Sequence, residues 1–491
     1  MLILYNPVSS ATRKPVLPMS LLALGALLEG EEDYAIVDGN LVPDPLVELD
    51  RRVRESGADL LGMTVMPGPQ LAQATELSKE LKRRHPSLTI VWGGYFPTQH
   101  WDVALRSPAI DWVVRGHGEI VFRDLVRGLR GTGTDPRRLA GVAFKDAAGI
   151  PRSNDLAPIP HPDQQPDFPY HRVDMARYPR KTFLGNRTIA HHSSYGCPFT
   201  CNFCAVVNMV GGRWLAQSAE RTAAVTERLV REFGVDAVEF YDNNFFTHEA
   251  RVREFAERIL PLKIGWWGEA RIDTMLKYAP STWQLMRDSG LRMVFLGAES
   301  GSDETLARMN KGGTASAAKT LEIAETMRRY DIVPEMSFVM GNPPDPEADA
   351  EGTMSFIRRV KEINPATEVI LYLYTPVPLA GELYDQAKAE GFAFPETLEA
   401  WNGEEWQEFV QRRSATMPWI HDPLRKRIRE FEWVLNARYP TSTDLGITPF
   451  RRRVLRAASA VRYRTGFYAN PIELRVLQRV LPYRRPETSG F

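Results

Sequence analysis

Cysteine is scarce, with three in 491 residues. A number that small and odd excludes a disulfide-stapled scaffold. Charge of one sign is also missing. Lys and Arg total 61 and Asp and Glu total 61, so overall electrostatics gives no reason to expect a nucleic-acid partner. Long apolar runs are absent too: the best, Leu17 to Leu28, falls well short of the roughly 20 residues that cross a bilayer. Arg13 and Lys14 in front give it the look of a signal peptide. Yet Met1-Leu-Ile-Leu-Tyr5 reads as a strand and Glu29, Glu31, Glu32 and Asp33 follow, so a buried helix and a cytoplasmic location are expected. What remains, 43% hydrophobic and 25% charged, is an ordinary globular mix, long enough for about three domains.

The first 130 residues alternate strand-like and helix-like stretches. Leu2–Tyr5, Tyr34–Val37, Leu60–Met63, Thr89–Trp92 and Asp111–Val114 are short apolar runs without clean alternation, as expected of strands buried on both faces of a parallel sheet. Leu71, Ala74, Leu77, Ser78 and Leu81 recur at helical spacing until His85-Pro86 ends the helix. A doubly wound α/β domain is expected over 1–150, with ligands beyond the carboxyl ends of its strands. Seven prolines between 151 and 180 point to a connecting segment, set at 151–185.

A second series occupies 186–385. Its strand candidates are Thr188–His192, Ala237–Tyr241, Ile264–Trp267, Arg292–Leu296, Glu335–Met340 and Glu368–Tyr374, with helices between them such as Ala219–Phe233 and Ala317–Tyr330. Six such units suit a partial (β/α) barrel, where chemistry gathers at the carboxyl ends of the strands. Residues 386–491 match no general motif and are expected to form a helical cap that governs substrate choice. Within them, 421–491 holds 15 Lys and Arg against 6 Asp and Glu. The plain interpretation is a solvated helical face; the sharper one is a surface for an anionic substrate or a membrane, with Leu474, Leu477 and Leu481 as the apolar face of an interfacial helix.

All three cysteines fall in one window, Gly196-Cys197-Pro-Phe-Thr-Cys201-Asn-Phe-Cys204, just after the first strand of the second series. Three thiolates on a short loop can hold three corners of a cubic iron–sulfur cluster. With no fourth cysteine, one iron keeps an open position, which catalysis requires. Two alternatives compete: a zinc site completed by His191 or His192, and unligated buried thiols.

The CxxxCxxC spacing with Phe203 before its last cysteine resembles the radical S-adenosylmethionine (SAM) superfamily. The resemblance implies a [4Fe–4S] cluster on Cys197, Cys201 and Cys204, SAM chelated at the unique iron, and reductive cleavage to a 5′-deoxyadenosyl radical. It extends over 186–385 and implies further SAM contacts. Asp242, Asn243 and Asn244 would lie under the amino group, Arg271 would meet the carboxylate, and Glu299 and Ser300, with Gly301, the ribose and methionyl part. Gly341 and Thr375 would sit where adenine packs. Each also has an ordinary role, since Asp, Asn and Gly are common turn residues at strand ends. No side chain is assigned as a catalytic acid or base.

The N-terminal half resembles the cobalamin-binding domain found with many radical SAM enzymes. Thr64 and Val65, then Gly93, Gly94 and Tyr95, then Gly116, His117, Gly118 and Glu119 follow successive strands, and the resemblance makes them cobalamin contacts. The first βα loop, 6–18, lacks the Asp-x-His-x-x-Gly segment that supplies a cobalt ligand in corrinoid methyltransferases. A non-histidine group or solvent is therefore expected under the cobalt, with the Thr64–Gln70 loop as the candidate.

Methylthiolation needs a second cluster, for which no cysteines remain. The leading expectation is methyl transfer from methylcobalamin to an unactivated carbon of a small-molecule or lipidic substrate. One SAM would serve as methyl source and another as radical source, with a flavodoxin or ferredoxin as electron donor. The substrate cavity would be the gap between the two cofactors. An oxidative cyclisation or rearrangement is the alternative, because the layout also resembles the anaerobic magnesium-protoporphyrin monomethyl ester cyclase family. Trp266, Trp267, Tyr372 and Tyr374 could then pack a flat substrate, although core packing is their commoner role. A non-enzymatic cluster or corrinoid sensor is the third possibility.

Overall fold

The early apolar runs become strands buried on both faces. In the computed structural model, which describes residues 1–10, 14–311, 313–378, 381–411 and 417–482, the chain divides into two units. The first comprises 1–178, 205–216 and 393–411, and the second the remaining described residues.

In the first unit, β1 (Leu2–Asn6), β2 (Tyr34–Asp38), β3 (Leu60–Thr64), β4 (Thr89–Gly93) and β5 (Trp112–Val114) are parallel in the order β2-β1-β3-β4-β5. The order reverses between β1 and β3, which makes their carboxyl ends a topological switch point. Alternate residues feed opposite faces: Ile3, Tyr5, Leu61 and Met63 join one core, Leu2, Leu4, Leu60 and Val91 the other. The proline-rich stretch begins as structure rather than connector. Antiparallel β6 (Val142–Lys145) and β7 (Pro151–Ser153) extend the sheet, and proline is tolerated at the first residue of an edge strand. The short strand β10 (Trp214–Ala216) also lies in this unit. So does the segment 393–411, expected to belong with the C-terminal cap: Trp401 sits edge-on to Phe96 at 5.2 Å and packs on His100 at 4.7 Å.

In the second unit, β8 (Thr188–His191), β11 (Ala237–Phe240), β12 (Gly265–Ala270), β13 (Leu291–Glu299), β14 (Val333–Met340) and β15 (Glu368–Leu373) form a parallel six-stranded sheet in chain order. A short strand, β9 (Ser194–Gly196), follows β8. This is the expected partial barrel. Local signals set its helices: Ser218 caps Ala219–Phe233 by accepting from the Arg221 amide, and left-handed Gly234 ends it. Trp266 is fully buried among Phe240, Phe245, Phe246 and Phe255, whereas Trp267, on the opposite face of the strand, packs against Tyr241 and donates to Glu335 at 3.1 Å. Tyr374 is buried against Trp419.

Helices Asp422–Arg438, Pro449–Thr465 and Ile472–Val480 close the described chain. The apolar face expected at Leu474, Leu477 and Leu481 is corrected here. Leu474 is fully buried, and the exposed aliphatics of that helix are Ile472, Val476 and Val480. Among the described residues no helix is long and apolar enough to cross a membrane.

Candidate cofactor sites

β8 and β9 deliver the chain to left-handed Gly196, and the cysteine loop starts at the next residue. Cys201 is buried, Cys197 and Cys204 partly so. The loop is pinned by its polar residues: the Asn202 amide donates to Met309 O at 3.2 Å, its side chain to Arg308 O at 2.7 Å, and Asn310 Nδ2 to Thr200 O at 2.9 Å.

Side-chain donors meet two of the sulfurs. Asn244 Nδ2 lies 3.8 Å from Cys197 Sγ and Arg271 Nη1 3.5 Å from Cys201 Sγ. Burial raises both thiol pKa values, while the charges of Arg271 and Lys311 pull them down. Metal-bound thiolates are what such donors and cations stabilise, so this loop fits the chemistry of an iron–sulfur cluster. Among the described residues no three His, Cys, Asp or Glu side chains gather around one point at single-ion spacing. The zinc site with His191 or His192 is thus not assembled in this structure. His191 is buried instead beside Phe240, and burial holds its pKa down at about 4.

The residues expected around SAM are brought to this end of the sheet, though several are already occupied. Asp242, fully buried, accepts from the Ser193 amide at 2.8 Å and from its hydroxyl at 3.0 Å. It therefore fixes the β8 loop instead of presenting a free carboxylate. Asn243 is exposed and Asn244 is turned to Cys197. Arg271 is not free for a carboxylate either. It pairs with Asp273 at 3.0 Å, donates to Lys311 O at 2.6 Å, stacks on Phe199 at 3.7 Å and reaches Cys201.

Glu299, at the end of β13, has φ +64°, a left-handed conformation uncommon outside glycine. Its carboxylate accepts from Lys311 Nζ at 3.0 Å, and both side chains are buried. Ser300 is buried and its hydroxyl accepts from the Ser302 amide. Left-handed Gly341 has Ile420 where a Cβ would stand, and its carbonyl accepts from Trp419. Thr375 is buried, and Phe203 is partly exposed on the cysteine loop. Lys311 went unnoticed in the sequence because a lone lysine before Gly312-Gly313 looks like any polar turn.

In the first unit, main-chain hydrogen bonds join the strand ends. Val65 N donates to Gly93 O at 2.8 Å, Phe96 N to Val65 O at 3.0 Å, and Gly116 N to Thr98 Oγ1 at 3.0 Å. Gly94 has φ +96°, and a Cβ there would meet Thr64 Oγ1 and Val65 N at 3.0 Å, so this glycine is required by the chain itself. Gly93 differs, since an added Cβ finds only Val114 at ordinary contact distance. Tyr95 opens the helix Tyr95–Gln99, and Gly118 precedes the helix Glu119–Leu129. Burial lowers the His117 pKa, and Glu119 Oε2 is buried without a hydrogen-bond partner among the described residues.

At the switch point Gln70 donates to Asn6 Oδ1 and Pro7 O, each at 3.1 Å, and accepts from Met66 N at 3.0 Å. This fixes the loop beyond β3 and leaves Met66 47% exposed on it. Side-chain-free Gly93 at the carboxyl end of β4, the strand next to β3 of the switch point, fits a large nucleotide-bearing ligand. Residues 11–13 of the β1 loop lie outside the described residues.

Fold and thiols together define a class, that of α/β metalloenzymes with a cluster loop at the carboxyl end of a partial barrel. Comparison with known proteins makes it specific. Residues 8–126 match the B12 binding domain family and residues 192–357 the Radical SAM superfamily. The chain belongs to the cobalamin-binding radical SAM enzymes, whose cofactors are cobalamin, SAM and a [4Fe–4S] cluster.

The chain is 26% identical over 366 residues to an uncharacterized methyltransferase of Pyrococcus horikoshii, covering 73% of this chain and 78% of that protein. It is 29% identical over 327 residues to an anaerobic magnesium-protoporphyrin IX monomethyl ester cyclase of Synechocystis, covering 64% of this chain and 63% of that protein; the match thus spans less than two thirds of the cyclase. Among solved structures, TsrM, a radical SAM methyltransferase from Kitasatospora setae with tryptophan and a SAM analog bound, superposes with TM-score 0.67 at 15% identity over 98% of both chains. Apo OxsB, a cobalamin-dependent SAM radical enzyme, gives TM-score 0.72 at 15% identity over 98% of this chain and 72% of its own. At those identities the likeness is one of fold.

Proposed function

We propose that this enzyme transfers a methyl group to an unactivated carbon of a small-molecule or lipidic substrate. The observation that carries the proposal is the three-cysteine loop, with no fourth cysteine in the chain, in a protein that also has a B12 binding domain. When bound, the cluster supplies the electron that splits SAM, and the corrinoid supplies a cobalt able to carry methyl.

The chain's own residues then have the following tasks. Cys197, Cys201 and Cys204 hold three irons. Asn244 and Arg271 donate to two of those sulfurs, and buried Lys311, neutralised in part by Glu299, adds a second positive charge. Asp242 orients the loop through Ser193. In the first unit Gly93, with the Gly116–Gly118 turn, would leave room for the nucleotide tail, and Met66 is the exposed side chain that the Thr64–Gln70 loop would offer the corrinoid. A flavodoxin or ferredoxin serves as electron donor.

Similarity to the methyltransferase of P. horikoshii supports methyl transfer; similarity to the Synechocystis cyclase supports an oxidative reaction as the second reading. Anaerobic turnover with SAM and dithionite separates them. Methyl transfer yields S-adenosylhomocysteine together with 5′-deoxyadenosine, and candidate substrates gain the mass of one methylene. Deoxyadenosine without homocysteine, and a loss of two hydrogens, would instead establish the oxidative reaction. A pure sensor would release neither nucleoside.

A further inference from the structure

The last two helices carry outward faces unlike the rest of the second unit. In Pro449–Thr465, Leu455, Ser459 and Tyr463 are buried, while Phe450 and Val461 are 71% and 64% exposed. In Ile472–Val480, Leu474 is fully buried, while Ile472, Val476 and Val480 are 63%, 53% and 69% exposed. The spacing i, i+4, i+8 puts those three on one stripe. Phe467, on the turn between the helices, is 59% exposed. Single exposed apolar residues need no explanation, but a stripe of them does.

The unpaired charges beside this stripe are cationic; the one acidic residue of Ile472–Val480, Glu473, is paired. Pro449–Thr465 contains six arginines and no acidic residue. Arg462 is occupied by Glu473, which ties the two helices together, and Arg475 lies 3.3 Å from Glu430. Arg453, Arg456, Arg464 and Arg479 are exposed and make no ion pair among the described residues. Arg453 shares the outer face of its helix with Phe450 and Val461, and Arg479 flanks the stripe on the Ile472 side of theirs.

We propose that this pair of helices docks on the surface of an anionic phospholipid bilayer. Ile472, Val476 and Val480 enter the boundary between headgroups and acyl chains, and the exposed arginines sit on lipid phosphates. A narrow aliphatic stripe bordered by cationic side chains is the pattern of a helix that lies in the interface plane. Arginine suits phosphate because its donors form a planar fork. A second copy of this chain fits poorly, because a two-fold contact would set this arginine-rich face against itself. A nucleic acid would leave the aliphatic stripe without a partner.

The test is flotation of the full-length protein with vesicles of phosphatidylglycerol and phosphatidylcholine, against vesicles of phosphatidylcholine alone. Most of the protein should float with the anionic vesicles at low salt. At least tenfold less should do so with neutral vesicles, and binding should weaken as salt screens the arginines. The variant Ile472→Glu/Val476→Glu/Val480→Glu should lose binding at least tenfold with unchanged circular dichroism, since all three side chains already face solvent. Arg453→Ser/Arg456→Ser/Arg464→Ser/Arg479→Ser provides a second variant and should lose binding to a similar degree.

Absence of flotation with anionic vesicles would overturn the proposal, as would undiminished flotation of both variants. It would also fail if the wild-type protein sedimented as a dimer that the triple Glu variant split, or bound a nucleic-acid probe in place of vesicles. None of these readouts depends on which reaction the enzyme catalyses.

Discussion

The two candidate cofactor sites are built by opposite means. In the second unit the cysteine loop is surrounded by side chains with charge and hydrogen-bonding capacity: Asn244, Arg271 and Lys311 toward the sulfurs, with Asp273 and Glu299 balancing the cations. In the first unit the strand ends are joined by main-chain bonds and short residues, Gly93, Gly94, Gly116 and Thr98. The contrast follows from what each must hold. A cluster is anionic and needs ligands plus counter-charge, whereas a corrinoid is bulky and needs room.

The comparison can be broken most severely at a ligand. Cys201→Ala should abolish the brown cluster absorbance and all deoxyadenosine formation, while cobalt content stays near wild type. A full cluster in that variant would show that the thiol assignment is wrong.

Next in size is the glycine pair. Gly94→Leu forces a side chain into Thr64 and the Val65 backbone and should destabilise the first unit by several kcal/mol, roughly the cost of combined strain and overpacking. At Gly93 an added Cβ meets only Val114, at ordinary contact distance, so the test there is Gly93→Leu. It should leave thermal stability nearly unchanged and weaken corrinoid retention about tenfold, on the order of 1.4 kcal/mol. Equal behaviour of the two variants in cobalt analysis and thermal melting would remove the distinction between structural and ligand-facing glycine.

Smaller still are the counter-charges. Arg271→Lys removes a hydrogen bond to Cys201, and Lys311→Met removes a buried cation. Each should make the cluster potential more negative, by an amount on the order of tens of millivolts, readable in an anaerobic redox titration. A rise in potential in both variants would contradict the assigned electrostatics.

The least effect is expected from pH on the first unit. His100, half-buried and packed among Phe96, Phe394 and Trp401, has its pKa pushed down to about 4 by desolvation. The unfolded chain therefore binds an extra proton between that value and about 6.5. Stability should be intact above about pH 6.5 and fall on acidification toward pH 4. Hydrogen exchange of β3 and β4 at pH 7 and 5 measures this, and His100→Phe should flatten the response.

Much of this fold was legible because its signals are local. The parallel strands of both sheets are short apolar runs, and the helix expected at Ala219–Phe233 has those bounds in the structure because Ser218 and Gly234 mark its ends. What could not be read depends on contacts between residues far apart in sequence. Trp401 and Phe394 pack on His100 across about 300 positions, which moved 393–411 into the first unit, and nothing in their own neighbourhood announces it. The site residues divide the same way. Three cysteines in eight residues are visible by spacing alone. That Asp242 is held by Ser193, or that Arg271 lies over Phe199, is decided only when separate strand ends meet.

The central claim is a four-iron cluster on which three thiolates hold three irons and leave the fourth open to SAM, in a protein that also has a B12 binding domain. Electron paramagnetic resonance of the anaerobically reconstituted, dithionite-reduced protein, recorded with and without SAM, tests it most directly. A [4Fe–4S] signal whose shape and g-values change when SAM is added is the predicted result. A signal that SAM leaves untouched, or bound zinc in place of the cluster, would contradict it.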